Sequence, residues 1–250
     1  MILGTGHPVR HYDRIDSTNL EARRLAGDGE GGPLWLVADM QTGGRGRLGR
    51  SWTSEPGNLY ATFLFPIADG PQAAAQVSFV AALAVHDTVM KLKPGLAPRI
   101  KWPNDVLIGG AKFCGVLPEV VATNPTRIAI GCGVNVAHAP EGTPYPVTAL
   151  GRDLTLDTVL GVLDLHLTRR LAQWDEGRGF APIRQEWAQR ALGLGAGVTA
   201  ALGDRRLTGT FDGLAPDGAL ILKQADGTLT PIHAGEVSFA ELEALRRTTA

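Results

Sequence analysis

Apolar and polar positions along this chain switch between a period near two and a period near 3.6, and each switch marks the border of an element. From Ile15 to Gly27 the spacing predicts a helix. Leu20 and Leu25 belong to its apolar face, Thr18 and Glu21 have the spacing of a capping box, and Gly27 suits the stop. Leu34 to Met40 is a short apolar run of strand type, and Asn58 to Phe65 resumes with alternation, so the segment between them is expected to join neighbouring strands of one sheet. Residues 72–92 place Val77, Val80, Ala81, Ala84, Val85, Val89 and Leu92 at helical spacing, which predicts a helix packed on that sheet.

Arg99 to Ile108 and Ala111 to Val121 are strand-like runs divided by Gly109-Gly110, the signature of a hairpin. Trp102-Pro103-Asn104-Asp105 breaks the first run with a kink and two polar side chains, an inconsistency more often functional than accidental. Thr126 to Val136 is a further strand, thinned by Gly131 and Gly133, and residues 137–152 read as loop. Pro118 is expected to interrupt the ladder of its strand. From Thr155 to about Arg190 the pattern is helical, with Leu160, Leu163, Leu167, Leu171 and Trp174 on one stripe and Phe180, Ile183 and Trp187 on a second. After Ala191, strand-like runs at 198–202, 206–212, 219–223 and 229–233 alternate with Asp217-Gly218 and Asp226-Gly227 turns, which suggests a small barrel of no catalytic character. The expected division is therefore 1–190 and 191–250.

Composition removes whole classes of function. A net charge of −1 gives no field that would recruit nucleic acid or an anionic membrane. Cys114 and Cys132 lie far apart inside apolar runs, without metal-type spacing, and read as buried small hydrophobes in a reducing compartment. Residues 1–8 lack the basic start and apolar run of a signal peptide, and no apolar stretch approaches a membrane span, so a cytoplasmic location is expected.

Against that neutral background the segment Gln41 to Trp52 stands out, with Arg45, Arg47 and Arg50 interleaved among four glycines. Glycine lets backbone amides approach a ligand, and arginine offers a permanent planar charge for carboxylate or phosphate oxygens. The combination suggests a lid that closes over an anion, with Trp52 as a stacking surface for a nucleobase. Lys112 interrupts an apolar strand just past a turn, and Gly131, Gly133 and Asn135 should share one face as the floor of a pocket.

Taken together and in order, Ser17-Thr18-Asn19, the Gln41–Trp52 loop, Lys101-Trp-Pro-Asn-Asp105, Lys112-Phe-Cys-Gly-Val-Leu117 and Gly131-Cys-Gly-Val-Asn135 resemble the biotin protein ligases over nearly the whole chain. The resemblance implies an α+β fold, a central mixed or antiparallel sheet flanked by helices of class II synthetase type, followed by an SH3-like barrel. It implies activation of biotin by ATP and Mg²⁺ to biotinyl-5′-AMP, then transfer to a lysine of a carboxylase's biotin carboxyl carrier domain. Because the Ser-Thr-Asn element begins at residue 17, the form without an N-terminal DNA-binding domain is expected, and homodimerisation through the sheet is plausible.

Carried over residue by residue, the resemblance puts Ser17, Thr18, Asn19 and Gln41 at the biotin head, with Gly44, Gly115 and Gly131 lining its slot. Arg45 and Lys112 would meet the carboxylate, and Arg45, Arg47, Lys112 and Asp105 would form the catalytic set. Asp105 would orient, or take a proton from, the incoming amine. Arg47, Arg50, Trp52, Asn104, Lys112 and Asn135 would serve the nucleotide. Residues holding the metal are not legible. A lipoate or octanoate ligase or transferase of the same fold is the alternative reading, and an RNA-binding module using Gly/Arg repeats is a rival from another class.

Overall fold

The first half of the chain, in a computed structural model that describes residues 1–68 and 74–239, builds one seven-stranded sheet. Its strands are β1 (Val9–Ile15), β2 (Leu34–Gln41), β3 (Leu59–Pro66), β4 (Arg99–Lys101), β5 (Asp105–Ile108), β6 (Ala111–Thr123) and β7 (Thr126–Val134). They lie in the order β1-β2-β3-β7-β6-β5-β4, and only the β1–β2 pair is parallel. Helices α1 (Thr18–Gly27), α2 (Ala74–Leu92), α3 (Leu156–Trp174) and α4 (Phe180–Arg190) pack around it. Among the described residues no helix is long and apolar enough to cross a membrane.

Alternation along the strands assigns every second side chain to the same face. Trp35, Leu59, Phe63, Val106, Cys114, Val116, Ile130, Cys132 and Val134 face α2 and α3 and form one buried core with Val80, Leu83, Leu160, Leu163 and Leu167. The predicted stripes of α2, α3 and α4 are the faces that meet it. On the opposite face, α1 covers a smaller cluster of Ala22, Leu34, Leu36, Leu64, Val121 and Ala129. The rest of that face is uncovered by helix and carries the site.

Four expectations change. The helix expected from Ile15 begins at Thr18, and Ile15 instead ends strand β1, whose mostly exposed residues show no strict alternation, as an edge strand allows. The capping box does not form: Ser17 is the N-cap of α1 without a side-chain cap bond, and Glu21 instead bonds Arg24 and Tyr12. Pro118 does not interrupt its ladder; it pairs with Ile130 inside an unbroken β6. Two residues earlier, the Val116 N–H points away from β7 to the Asn104 carbonyl, and β5 pairs only as far as Gly115, so the missing donor of Pro118 falls on an unpaired edge. The kink at Trp102-Pro103-Asn104 is a chain reversal, which makes β4 and β5 separate antiparallel strands.

The remaining strands, β8 (Gly197–Leu202), β9 (Arg205–Leu214), β10 (Leu220–Lys223), β11 (Leu229–Ile232) and β12 (Glu236–Phe239), form a second antiparallel sheet in the order β11-β10-β9-β8-β12. Its edge strands β11 and β12 do not pair with each other, so the expected barrel is an open sheet, consistent with an SH3-like domain. The second sheet is tied to the first at the reversal, where Trp102 Nε1 donates to the Gly218 carbonyl at 3.1 Å. Residues 240–250 of the expected second domain, and 72–73 of the expected second helix, lie outside the described residues.

Candidate active site

Three glycines explain why a cavity forms on the open face. Register pairs Thr62 with Gly131, Tyr60 with Gly133, Gly115 with Gly133 and Asp105 with Gly115, so all of these share that face. A Cβ at Gly133 would stand 2.5 Å from Trp52 Cε2, and one at Gly131 would stand 2.4 Å from Asn19 Oδ1. The bare backbone therefore admits an indole and an amide where side chains would otherwise fill the face. A bulge between Val106 and Leu107 adds a residue to the ladder, which brings Lys112 to the face that carries Asp105 and Gly115.

The cavity measures about 730 Å³. At one end is a relay of short polar groups. Gln41 Oε1 accepts from the Thr18 N–H at 2.8 Å and from Thr18 Oγ1 at 3.1 Å, while Gln41 Nε2 donates to Ser54 Oγ at 2.9 Å. Thr62 Oγ1 lies 2.7 Å from both Thr18 Oγ1 and Asn19 Oδ1. Asn19 Nδ2 donates to the Leu117 carbonyl and to Glu119, so Asn19 is committed to the scaffold. The Ser17 hydroxyl makes no cap bond and lines the cavity.

The Gly/Arg segment closes the other end as a finger folded on itself. Arg45 bridges Ser51, the Gly46 N–H donates to the Arg50 carbonyl at 2.7 Å, and the Trp52 N–H donates to the Gly44 carbonyl at 2.9 Å. Gly44 does not line the cavity; a Cβ there would meet the Trp52 carbonyl at 2.5 Å, so it serves the base of the finger. Arg47 Nη1 donates to Asn104 Oδ1 and Arg47 Nη2 to the Gly235 carbonyl, both at 3.2 Å, and Arg50 is ion-paired with Glu236. Burial works against the charge of Arg47, while Asp105 and Glu236 partly offset that cost. Lys112 Nζ is 2.7 Å from Asp105 Oδ1. Arginines, a lysine and a single nearby carboxylate pair make this end a receptor for anionic oxygens.

Comparison with known proteins follows the same division of the chain. Residues 12–135 match the biotin/lipoate A/B protein ligase family, and residues 193–240 match the biotin protein ligase C terminal domain. A biotin–acetyl-CoA-carboxylase ligase of Paracoccus denitrificans is 41% identical over 90% of this chain and 98% of its own length. This chain belongs to the biotin protein ligase family. A Mycobacterium tuberculosis protein of the same description is 31% identical, over 94% of this chain and 91% of its own. Among solved structures, the Aquifex aeolicus biotin protein ligase in complex with biotin and ATP aligns with a TM-score of 0.78 at 29% identity, covering 93% of this chain and 98% of that one. The C-terminal match and the named relatives favour a biotin ligase over the lipoate and octanoate alternative.

In this biotin ligase the cavity gathers most of the residues expected of it, and Asn135 is an exception. Strand β7 ends at Val134, and Asn135 Nδ2 donates to the Thr148 carbonyl at 3.1 Å, away from the cavity. Several wall residues escaped sequence reading. Behind the wall, Thr62 on β3 and Ser54 in the loop before it complete the polar relay, and nothing local distinguishes them before the fold is known. Tyr145 lines the cavity from the 137–148 loop; an aromatic between Pro144 and Pro146 was a usable signal. Thr199, Arg206, Glu236 and Ser238 of the second sheet, with Gly235 just before β12, also line the cavity, although that segment carries no catalytic signature in its sequence. Cys114 and Cys132 are buried as expected, and burial pushes the Cys132 thiol up to about 12, so it is no nucleophile.

Proposed function

We propose that this chain is an ATP-dependent ligase that joins the carboxylate of biotin to the α-phosphate of ATP, giving biotinyl-5′-AMP and pyrophosphate. It then passes the biotinyl group to a lysine amine on a biotin carboxyl carrier domain. The observation that carries this reading is one cavity with a neutral hydrogen-bonding end at Ser17, Thr18 and Gln41 and a cationic end at Arg45, Arg47 and Lys112. A ureido head group suits the first end, and two mutually repelling anions suit the second.

Carboxylate attack on phosphate brings negative charge to negative charge. Arg45, Arg47 and Lys112 neutralise both partners and the oxygens of the transition state. The mixed anhydride is prone to hydrolysis, and the Gly44–Trp52 finger, braced on Gly235 and Glu236, keeps water from it. Trp52, resting over Gly133, offers its ring to the adenine, and Asn104 and Arg50 lie on the same side as the finger. Among the described residues, Asp105 and Glu236 are the carboxylates lining the cavity. Both are already ion-paired, Asp105 with Lys112 and Glu236 with Arg50, so a Mg²⁺ ion would take its oxygens from polyphosphate and water, with Glu236 the carboxylate nearest to hand on the finger side. When bound, that ion would screen the polyphosphate charge. Homodimerisation is part of the same proposal, and β1 is an exposed sheet edge that could serve it.

The test is mass measurement of a biotin carboxyl carrier domain incubated with the chain, ATP, Mg²⁺ and biotin. One biotinyl group on one lysine is expected. An unmodified carrier, with no biotinyl-AMP formed by excess enzyme, contradicts the proposal.

A further inference from the structure

Lys112 Nζ occupies a seat with three walls. Asp105 Oδ1 is 2.7 Å away, the Trp52 ring centroid 5.1 Å and the Tyr145 ring centroid 5.6 Å. A fourth side is open because Gly115 has no side chain; a Cβ there would be 3.3 Å from Nζ and 3.1 Å from Trp52 Cζ3. A carboxylate flanked by two aromatic faces is a receptor for an alkylammonium ion in general, not for one particular lysine. The reaction proposed above brings a second alkylammonium to this place.

Taking Asp105 as the residue that receives the acceptor amine, we infer that Tyr145 is a positioning residue for that amine and that Lys112 fills the seat until biotinyl-AMP draws it away. The inference rests on the biotin-ligase reading. A phosphate oxygen competes with Asp105 for the Lys112 ammonium. Once Lys112 turns to the adenylate, Asp105 is left as a half-buried carboxylate without its cation, an unfavourable state that an arriving ammonium relieves. Carrier binding is thereby favoured after the adenylate exists and disfavoured before.

The seated ammonium loses one proton, to Asp105 or to water, and its lone pair attacks the carbonyl carbon of the anhydride. The carbon–oxygen bond to phosphate breaks, AMP leaves with the electron pair, and the nitrogen sheds a second proton to give the amide. Tyr145 is held in place by the backbone of the same lysine. The Lys112 N–H donates to the Pro146 carbonyl and the Thr148 N–H to the Lys112 carbonyl, both at 2.9 Å. Asn135 clamps Thr148 from the other side, which gives that residue a positioning role outside the cavity.

The experiment separates the two half-reactions in single turnover, one starting from biotin and ATP and the other from preformed biotinyl-AMP mixed with a carrier domain. Tyr145→Leu is expected to slow transfer roughly tenfold, the size of a partly desolvated cation–π contact. Its half-saturating carrier concentration should rise, and adenylation should slow much less. Tyr145→Phe, which keeps the ring, restores transfer to within about twofold of the parent. Transfer by Tyr145→Leu at the parent rate, or equal slowing of both half-reactions, overturns the inference. A parent enzyme that makes no biotinyl-AMP overturns instead the reading beneath it. The unmutated protein supplies a second measurement that needs no variant to fold. The Lys112 side-chain proton resonances should be shifted upfield by the two rings in the free enzyme and lose that shift when biotinyl-AMP binds. Retention of the shift with the adenylate bound contradicts the exchange.

Discussion

The two faces of the seven-stranded sheet are made from the same strands, one residue out of step, and they differ in almost every respect. Phe63, Ile130, Cys132 and Val116 point one way and are buried against helices. Thr62, Gly131, Gly133 and Gly115 point the other way and leave a cavity. The first face gains stability from apolar burial at about 25 cal/mol per Å². Beyond the small cluster under α1, the second gives up that gain: three glycines stand where bulky side chains would pack, and charged groups are half-buried beside them. Folding and chemistry are thus divided by strand parity, and neighbouring positions should fail in different ways when altered.

The largest effects should come from the packed face. Phe63→Ala should cost about 3–5 kcal/mol by cavity creation, measured by urea unfolding, while adenylation per folded molecule stays close to that of the parent. On the other face, Arg47→Ala or Lys112→Ala should slow single-turnover adenylation about 100-fold, with a loss of stability well below that of Phe63→Ala. If both kinds of change struck folding and adenylation alike, the division by parity would be wrong.

Gly133→Ala sits at the boundary of the comparison. Its Cβ must displace the Trp52 ring, so indole fluorescence should change and half-saturating ATP should rise about tenfold, at a cost of about 1–3 kcal/mol from overpacking. Glu236→Gln should have a smaller effect, below about 1 kcal/mol and weakened by salt, because its pair with Arg50 is largely exposed. The smallest effect concerns His166 on α3, away from the cavity. Burial depresses its proton affinity, opposed by Asp87 and reinforced by Arg169, Arg170 and Lys91. Since the unfolded chain then protonates first, stability should be full above the ordinary histidine value and fall as pH drops through it. His166→Gln should flatten that part of the thermal-melting profile against pH.

Much of this architecture is legible in period alone. The helical stripes through Leu160 and Ile183 follow from burial on one side, which leaves a mark at every turn, while α2 and β3, buried on nearly every side, are marked instead by continuous apolar runs. Strand β1 carries no such mark because an edge strand need not bury a face. The Gly/Arg finger, Lys112 and Asp105 could be picked out because each is costly where it stands: glycine in place of packing, charge in place of apolar surface. Thr62, Ser54, Arg206 and Glu236 could not, since each is an ordinary residue for its element and acquires meaning only from register or from the docking of the second sheet. Asn135 shows the limit of parity arguments: they hold within a strand, and β7 ends one residue too early.

The most direct measurement is a crystal structure with biotin and a non-hydrolysable ATP analogue bound. The expected result is biotin reaching Ser17, Thr18 and Gln41, with its carboxylate and the α-phosphate meeting between Lys112 and the finger residues Arg45 and Arg47, above Gly115 and Gly133. Ligands bound elsewhere, or a finger turned away from an empty glycine-lined face, would contradict it.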